Sequence, residues 1–321
     1  MTKSILTSVA NEVPLLLLIF NRPKALQQVM QALRTIKPRY LYIAADGPRL
    51  GKPGEKETTD AARQVALSVD WACEVKTLFR DENLGCRLAV SGAIDWFFDN
   101  VDSGVILEDD CVPDPSFFLF AAELLEHYRD DERIMAITAK HHGAAGLQRS
   151  KSYFFSRYNH CWGWASWRRA WQFYDHDMVQ WPDLRDTEWL LDVGSGSRTF
   201  RRHWTKIFDS VYSGKIDSWA YRWTFSCWAQ SALSVLPVRN LVSNIGFDSD
   251  ATHTTTVGNR EHIAGLEEME FPLEHPSTMI RAARADVWSD RNVFGIGKGR
   301  AKEYLRAIPG MGQMARLIRS R

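Results

Sequence analysis

Residues 104–118 read GVILEDDCVPDPSFF, and the pattern of this stretch indicates the fold class. The apolar residues 104–107 predict a strand that is buried on both faces, as strands in parallel sheets are. Three carboxylates, at 108–110, follow this strand directly. Asp114 and Pro115 then supply an N-cap and a first helical residue, so we expect a helix to follow. A strand that leads through acidic residues into a helix is typical of an α/β sheet.

Short apolar strands alternate with helical patterns through the first half of the chain. A helix is expected to begin at Pro23, and two further helical patterns lie at residues 60–69 and 88–98. This alternation predicts an α/β fold, with a mostly parallel twisted sheet flanked by helices and an irregular, Trp-rich region in the second half. The predicted strands are residues 15–20, 40–45, 71–79, 104–107 and 134–138.

Composition and charge exclude several classes of protein. The chain has 321 residues, of which 45% are apolar and 25% charged, the balance of a globular protein with a sizeable core. A net charge of +1 argues against a general nucleic-acid-binding protein. Five widely spaced cysteines without a C-x-x-C pair indicate reduced thiols and therefore a cytoplasmic location. The apolar run at residues 13–20 is too short to span a bilayer.

Polar residues follow three of the predicted strands at the point where each strand ends. They are the pairs at 21–22 and 46–47 and the carboxylates at 108–110. Ligands of such sheets bind outside the carboxyl ends of the strands, so these residues should meet at one rim. Adjacent carboxylates repel one another unless a cation is present, and Mg²⁺ or Mn²⁺ commonly joins carboxylates to substrate phosphates. Since no P-loop or dinucleotide-binding glycine motif is present, a metal-held diphosphate is the favoured ligand.

Tryptophan is concentrated in one part of the second half. The chain has 13 tryptophans, and an aromatic core and a surface that stacks on sugar rings both explain the concentration. Sequence alone leaves these alternatives open. The cluster comprises Trp162, Trp164, Trp167, Trp171, Trp181, Trp189, Trp204, Trp219, Trp223 and Trp228.

Five segments in this order resemble a known family. They are LLLLIFNRP at 15–23, AADGPR at 44–49, VILEDDCVPDPSFF at 105–118, HCWGWASWRRAW at 160–171 and NIGFDSDATHT at 244–254. Together they resemble the bacterial nucleotide-diphospho-sugar transferases of the haemolytic-protein-like group. These are similar to the inverting GT-A fold enzymes typified by N-acetylglucosaminyltransferase I. The resemblance spans about residues 12–256 and implies a GT-A-like fold.

The resemblance implies roles for individual residues. Arg22 would contact the donor phosphates or nucleotide, and Asp46 would accept a hydrogen bond from a uracil imide N–H. Asp110 would bind Mn²⁺ or Mg²⁺, with His253 as a further ligand of the metal or diphosphate. The donor-binding residues are expected to be Phe20, Asn21, Arg22, Asp46, Arg87, Glu108 and Asp109.

The catalytic base is the point at which this sequence departs from the family. An inverting transfer needs a carboxylate that takes the proton of the acceptor hydroxyl, and related sequences are expected to carry it where this chain has Ala220. Asp217, Asp248 or Asp250 would then serve as the base, or the chain is an inactive variant. Aromatic residues around this position are expected to bind the acceptor, namely Trp162, Trp164, Trp219 and Tyr221.

The resemblance therefore predicts a metal-dependent, inverting glycosyltransferase that uses a UDP-sugar and acts in bacterial surface glycan synthesis. Residues 1–150 would bind the nucleotide sugar and residues 151–297 the glycan or lipid-linked acceptor, as two halves of one domain. A basic tail at 298–321 would allow peripheral contact with the inner face of the membrane. Two alternatives remain, a nucleotidyltransferase that makes the sugar nucleotide and a degenerate carbohydrate-binding protein. The first would need a Gly-rich basic N-terminal loop, which IFNRPKA at 19–25 does not provide.

Overall fold

An eight-stranded sheet forms the centre of the protein. The computed structural model describes residues 10–143, 151–246 and 265–297. The strand order is β3-β2-β1-β4-β8-β6-β9-β7, and a separate two-stranded ribbon pairs β10 with β5. The strands are β1 (Leu15–Ile19), β2 (Tyr40–Ala45), β3 (Glu74–Phe79), β4 (Ser103–Glu108), β5 (Cys111–Pro113), β6 (Ile134–Thr138), β7 (Tyr153–Ser156), β8 (Trp164–Trp167), β9 (Leu233–Pro237) and β10 (Val242–Asn244).

Helices connect and flank the strands of the sheet. Where the helices were predicted, Pro23 opens α1 and Asp114 caps α4, accepting a hydrogen bond from the backbone N–H of Ser116. The helices are α1 (Pro23–Ile36), α2 (Glu55–Leu67), α3 (Gly85–Asn100), α4 (Pro115–His127), α5 (Arg168–Trp171), α6 (Trp181–Arg185), α7 (Trp189–Val193), α8 (Arg198–Tyr212), α9 (Trp219–Ala229) and α10 (Ala283–Asn292).

The first half of the chain forms a parallel sheet, as predicted. Every residue of β1 is buried, and β1 pairs in parallel with β2 on one side and β4 on the other. The carboxyl ends of these three strands therefore lie at one edge, which brings together the polar residues that follow them. The α/β class is confirmed, and a mostly parallel sheet flanked by helices is consistent with a GT-A-like fold.

A strand from the second half of the chain completes the sheet. Strand β8 lies between β4 and β6 and runs antiparallel to both. Strands from residues 1–150 and 151–297 therefore belong to a single sheet, in which β8 of the second half is inserted between β4 and β6 of the first. Because β8 runs in the opposite direction, its amino-terminal end lies at the same edge as the carboxyl ends of β4 and β6.

Most of the clustered tryptophans lie in the core. Trp164, Trp181, Trp204, Trp223 and Trp228 are among the largest fully buried side chains. They pack against one another and against phenylalanines. The rings of Trp204 and Trp228 meet edge to face at 73°, with their centres 4.7 Å apart. For these residues the structure selects the aromatic core over a sugar-stacking surface.

A buried ion pair holds helix α10 against the sheet. The Arg157 guanidinium donates to both carboxylate oxygens of Asp290 in α10, at 2.6 and 2.7 Å. Ser156 Oγ donates to Asp286 Oδ1 of the same helix at 2.5 Å. These contacts fix α10 to the end of β7.

The cysteines and the helix lengths bear on two expectations from the sequence. All five cysteines are free thiols. Among the residues described, none of the helices has the length and apolar character needed to cross a membrane. The basic segment at 298–321 lies outside the described residues.

Candidate active site

A cavity of about 400 Å³ opens at the carboxyl ends of β1, β2 and β4. Six of the residues predicted to bind a donor line this cavity, together with Asp217 and several residues that the sequence did not single out. The lining comprises Leu18, Ile19, Phe20, Asn21, Arg22, Ala44, Asp46, Arg49, Arg80, Asn83, Gly85, Cys86, Ala89, Val90, Glu108, Asp109 and Asp217. The strand ends thus converge as the α/β topology requires.

Asp46 fixes the turn that forms one wall of the cavity. Its Oδ2 accepts hydrogen bonds from Asn83 Nδ2 and the Gly85 backbone N–H, at 2.9 and 3.1 Å. Its Oδ1 accepts from the backbone N–H groups of Gly47 and Leu84, both at 3.0 Å. A carboxylate has about four acceptor positions, so a uracil imide would have to displace one of these partners. The contacts show Asp46 shaping the wall, while base recognition stays a prediction.

Gly47 allows the neighbouring loop to approach the end of β2. A Cβ atom at this position would lie 2.4 Å from the backbone carbonyl carbon of Glu82. Any side chain would therefore push the loop at residues 81–85 away from the cavity. The Asp46-Gly47 pair is a matched unit, in which the carboxylate binds the loop and the glycine gives it room.

A group of hydrogen-bonded polar side chains, Asn21, Arg49 and Glu55, also borders the cavity. The Glu55 carboxylate accepts from Asn21 Nδ2 at 3.2 Å and from the backbone N–H of Arg49 at 2.7 Å. The Arg49 guanidinium also donates to Glu55 and lies over the Phe20 ring, 5.5 Å from its centre. These bonds lower the pKa of the Glu55 carboxyl. The Phe20 ring and the Arg49 guanidinium are thereby fixed beside the cavity.

The three consecutive carboxylates at 108–110 lie at the end of β4 and beside β1. Asp109 Oδ2 accepts from the backbone N–H of Phe20 at 3.0 Å. Arg22 Nη1 lies 2.5 Å from Asp110 Oδ2 and 3.5 Å from Asp109 Oδ1. Asp109 and Asp110 are only 6% and 5% exposed. Two buried carboxylates therefore share the guanidinium of Arg22.

The charges of this cluster are poorly compensated. Burial and repulsion from Asp110 raise the pKa of Asp109 to about 7, even though Arg22 acts to lower it. Burial, followed by repulsion from Asp110 and Asp109, raises the pKa of Glu108. One guanidinium beside three carboxyl groups leaves excess negative charge, and a bound cation would stabilise the ionised forms.

The last of the five segments singled out in the sequence, NIGFDSDATHT at 244–254, begins directly beside these carboxylates. Strand β10 pairs with β5, which places Asn244 opposite Cys111, and Asn244 Nδ2 donates to Asp110 Oδ1 at 3.1 Å. A Cβ atom on Gly246 would lie 2.0 Å from Asp110 Oδ2, so only glycine allows this approach. The later candidates in this segment, Asp248, Asp250 and His253, lie outside the described residues.

The carboxylate cluster fits a divalent cation that is shared with a diphosphate. Within residues 10–143, 151–246 and 265–297, no three side chains of His, Cys, Asp or Glu converge to hold an ion. Mg²⁺ and Mn²⁺ need fewer protein ligands when substrate phosphates and water supply the rest, and carboxylate oxygen suits both. Asp110, the residue that the sequence assigned to such an ion, is not among the residues that line the cavity, and its two carboxylate oxygens contact Arg22 and Asn244. Its role as a metal ligand therefore stays a prediction.

Asp217 is the candidate base that the structure brings to the cavity. It precedes the N-cap of α9, its side chain is 56% exposed, and its Oδ1 lies 3.1 Å from Nε of Arg87. Arg87, which was predicted to bind the donor, is not among the residues that line the cavity, but it forms an ion pair with Asp217, which is. Ala220 lies in the first turn of α9 and is half-buried against the core.

The aromatic residues predicted to bind the acceptor separate into two groups. Trp164 and Trp219 are 1% and 4% exposed and stack on each other with ring centres 5.9 Å apart. Neither presents a face to a ligand, because β8 and the start of α9 bury them in the core, and this burial corrects the role expected for them. Trp162 and Tyr221 are half-buried and stay candidates.

Sequence reasoning missed Arg49, Glu55, Arg80 and Asn83, which line the cavity or support its wall. They lie in loops or at helix ends between strands, where no periodic pattern marks them. The only available signal was their position after β2 and β3, since loops at this edge of a parallel sheet form its binding crevice.

Comparisons with known proteins give distant structural likenesses alone. No family model and no curated protein sequence matches the chain. A cytidylyltransferase from Leptospira borgpetersenii serovar Hardjo-bovis is similar in structure, with a TM-score of 0.31 and 12% identity over 50% of this chain and 62% of that chain. The chain thus spans less than two thirds of that enzyme's length.

A mannosyltransferase from Pyrobaculum calidifontis, solved in complex with GDP-Man and Mn²⁺, is also similar in structure. Its TM-score is 0.38, with 13% identity over 68% of this chain and 70% of that chain. Likenesses this distant do not identify an activity of the present chain.

Proposed function

We propose that this protein is a metal-dependent glycosyltransferase that moves a sugar from a UDP-sugar to a hydroxyl acceptor with inversion. One observation carries the proposal. The carboxylates Glu108 and Asp109 and the separate carboxylate of Asp217 line one cavity at the carboxyl ends of parallel strands. The cluster suits a cation and a diphosphate, and the separate carboxylate suits a base.

The donor would lie along the strand ends. The nucleotide would occupy the part of the cavity between the Phe20–Arg49 pair and the turn that Asp46 holds. Arg22 and Asp110 would lie at the diphosphate, where a bound divalent ion supplies neutralisation of the negative charge that develops on the leaving UDP. Uridine is proposed from the family resemblance, with Asp46 acting mainly through the shape of the wall.

Asp217 is the proposed base. Its carboxylate would take the proton of the acceptor hydroxyl as the oxygen attacks the anomeric carbon and the bond from that carbon to the diphosphate breaks. The new glycosidic bond forms on the face opposite the departing UDP, which inverts the configuration. Asp248 and Asp250 stay alternative candidates, and His253 stays a proposed second ligand at the metal.

A non-catalytic sugar-binding protein is the second candidate, and one observation favours it. Ala220, at the position where the family pattern expects an acidic residue, cannot accept a proton. The exposed carboxylate of Asp217, one turn earlier, argues against this alternative because it offers a base to the same cavity.

The family resemblance adds a biological role to the proposal. The protein would act in bacterial surface glycan synthesis, on a glycan or lipid-linked acceptor at the inner face of the membrane. The division into a donor half at 1–150 and an acceptor half at 151–297 is proposed on the same basis.

Hydrolysis of UDP-sugars in the absence of acceptor, with and without Mn²⁺, tests the core of the proposal. A transferase should release UDP slowly and only when the metal is present. A nucleotidyltransferase should instead form the sugar nucleotide from a nucleoside triphosphate and a sugar phosphate. A binding protein should do neither while still binding the donor.

A further inference from the structure

A second cluster of polar groups lies two strands away from the carboxylates, at the same edge of the sheet. Lys140 and His142 follow the end of β6, and His160 and Trp162 precede β8. The two loops are joined by a hydrogen bond of 2.8 Å from the Ala139 backbone N–H to the Gly163 carbonyl. This cluster is separate from the cavity described above.

Lys140 is the unusual member of the cluster. It is 2% exposed, and its ammonium group lies 4.8 Å from the centre of the Trp162 ring. In the described part of the chain, no carboxylate lies within ion-pair distance of this ammonium group, and no acceptor takes a hydrogen bond from it. A buried ammonium without an anion is costly, and burial accordingly lowers the pKa of Lys140 to about 8.

His160 and Asn159 leave further polar atoms without partners nearby. The Nε2 atom of His160 and the Nδ2 atom of Asn159 are buried, and neither has a hydrogen-bond partner among the described residues. The His160 ring lies 4.3 Å from that of His142, which in turn lies 5.0 Å from that of Trp162. The charge of Lys140 is close enough to help lower the pKa of His160, after burial and His141. The loops thus gather one cation and several potential donors around an aromatic face.

The position of this cluster relative to the carboxylates indicates what it would bind. A Cβ atom on Gly163 would lie 3.2 Å from the Leu107 side chain, one residue before Glu108, so the loop before β8 borders the end of β4. Strand β8 separates β6 from β4, and two strand spacings amount to ~10 Å. The cluster therefore lies on the side of the carboxylates away from the nucleotide cavity, where an acceptor would approach.

We propose that Lys140, with Trp162 and His160, forms a subsite for an acceptor sugar that carries a negatively charged group. The indole would support the sugar ring, and the ammonium group would bind a carboxylate or phosphate substituent. This inference rests on the proposed function for its placement on the acceptor side. It deepens that function by naming the acceptor class as acidic saccharides.

The test compares charged and neutral sugar probes by calorimetry on the full-length protein, with and without UDP and Mn²⁺. The pairs are methyl β-glucuronide against methyl β-glucoside, and glucose 6-phosphate against glucose. We expect one charged member to bind about tenfold more tightly than its neutral partner, which corresponds to ~1.4 kcal/mol. The pair that shows the preference identifies carboxylate or phosphate as the substituent.

Lys140→Met keeps a long apolar side chain in the buried site and removes only the charge. It should abolish the preference without weakening UDP binding, while Lys151→Met, at an exposed lysine, should retain the preference. The proposal is overturned if the unmodified protein binds charged and neutral probes alike, or if Lys140→Met retains the preference for the charged probe. It is also overturned if Lys140→Met weakens the binding of UDP as much as that of the charged probe. A preference that persists in a protein unable to bind UDP would support the anion subsite and overturn the proposed function.

Discussion

Nη1 of Arg22 lies 2.5 Å from Oδ2 of Asp110 and joins the end of β1 to the end of β4. The pair is 88 residues apart in sequence, and only the parallel register of β1 and β4 brings it together. A divalent ion at Asp110 would have to share this oxygen with the guanidinium or displace it.

Arg22→Met should make the protein more dependent on divalent metal. The substitution removes a guanidinium that compensates part of the charge of Asp109 and Asp110, so the metal-free protein should unfold at a lower temperature. Added Mn²⁺ should then raise the melting temperature more in the variant than in the unmodified protein. Thermal melts with and without Mn²⁺ measure both effects, and an equal response to Mn²⁺ in the two proteins would contradict the assignment.

The stability of the metal-free protein should fall as pH rises from about 4 to about 7. Asp109 has its pKa raised from the ordinary 3.8 to about 7, so over this range the folded protein keeps a proton that the unfolded chain releases. The free energy of unfolding should therefore decrease by up to ~1.4 kcal/mol per pH unit. Above about pH 7 the contribution of Asp109 is lost, and the slope should lessen until Glu108, whose pKa is raised to about 8, has also released its proton.

Asp109→Asn provides the check on this pH dependence. The amide oxygen still accepts from the Phe20 backbone N–H, but the group no longer titrates. Urea unfolding at several pH values should give a shallower slope for this variant than for the unmodified protein. Asp99→Asn, at an exposed aspartate, is the matched control and should leave the slope unchanged.

Asp217→Asn should slow sugar transfer without weakening donor binding. General-base catalysis contributes about 10²–10⁴-fold, and the amide cannot take the acceptor proton. Steady-state transfer and UDP-sugar binding should be measured on the same protein samples. If Asp217→Asn transfers as fast as the unmodified protein while Ala220→Asp gains about tenfold or more, the base belongs at position 220 and this chain lacks it.

Asp46→Ala should loosen the wall of the cavity and lower the affinity for all nucleotides to a similar extent. The carboxylate accepts four hydrogen bonds from residues 47 and 83–85, and a buried donor left without a partner costs about 1–3 kcal/mol. Melting temperature and the affinities for UDP, CDP and GDP should all fall in the variant. A selective loss of UDP affinity with unchanged stability would instead indicate direct contact with uracil.

Arg157→Met should destabilise the protein, because it removes the ion pair that fixes α10 to the end of β7. Removing one partner of a buried ion pair leaves the other charge uncompensated, which typically costs about 3–5 kcal/mol. Asp290 would lose both of its bonds to the guanidinium. Double substitution of Arg157 and Asp290 to methionine should recover part of the lost stability, as denaturant unfolding can show.

The sequence predicted the parallel half of the fold because β1, β2 and the centre of β4 are continuous apolar runs. Strand β3 reads EVKTLF, which is not such a run, and it begins three residues after the predicted start at 71. Strands at 40–45 and 134–138 have the bounds that were predicted. Helix α2 begins at Glu55, five residues before the predicted start. The prediction missed this start because Glu55 is buried but polar, so the hydrophobic pattern does not mark it. Strand β8 was not predicted, since WASW follows no pattern that distinguishes a central strand from the aromatic core around it.

The candidate site was predictable where it follows strand ends and unpredictable where it depends on loop contacts. The strand-end rule placed Arg22, Asp46 and the carboxylates at 108–110 together. It did not show that the Asp46 oxygens are engaged by the turn at 83–85, because that depends on a close approach through Gly47. Trp164 and Trp219 illustrate the opposite error, since composition does not distinguish a ring that binds sugar from one that fills the core.

The most direct measurement is calorimetric binding of UDP in the presence of Mn²⁺ to the unmodified protein and to Asp110→Ala, with Asp99→Ala as a control at an exposed aspartate. We expect Mn²⁺-dependent UDP binding to the unmodified protein and to the control. In Asp110→Ala this binding should be lost, while circular dichroism shows that the fold is retained. Unchanged UDP–Mn²⁺ affinity in Asp110→Ala would contradict the central claim that the carboxylates after β4 hold a metal-bound nucleotide diphosphate.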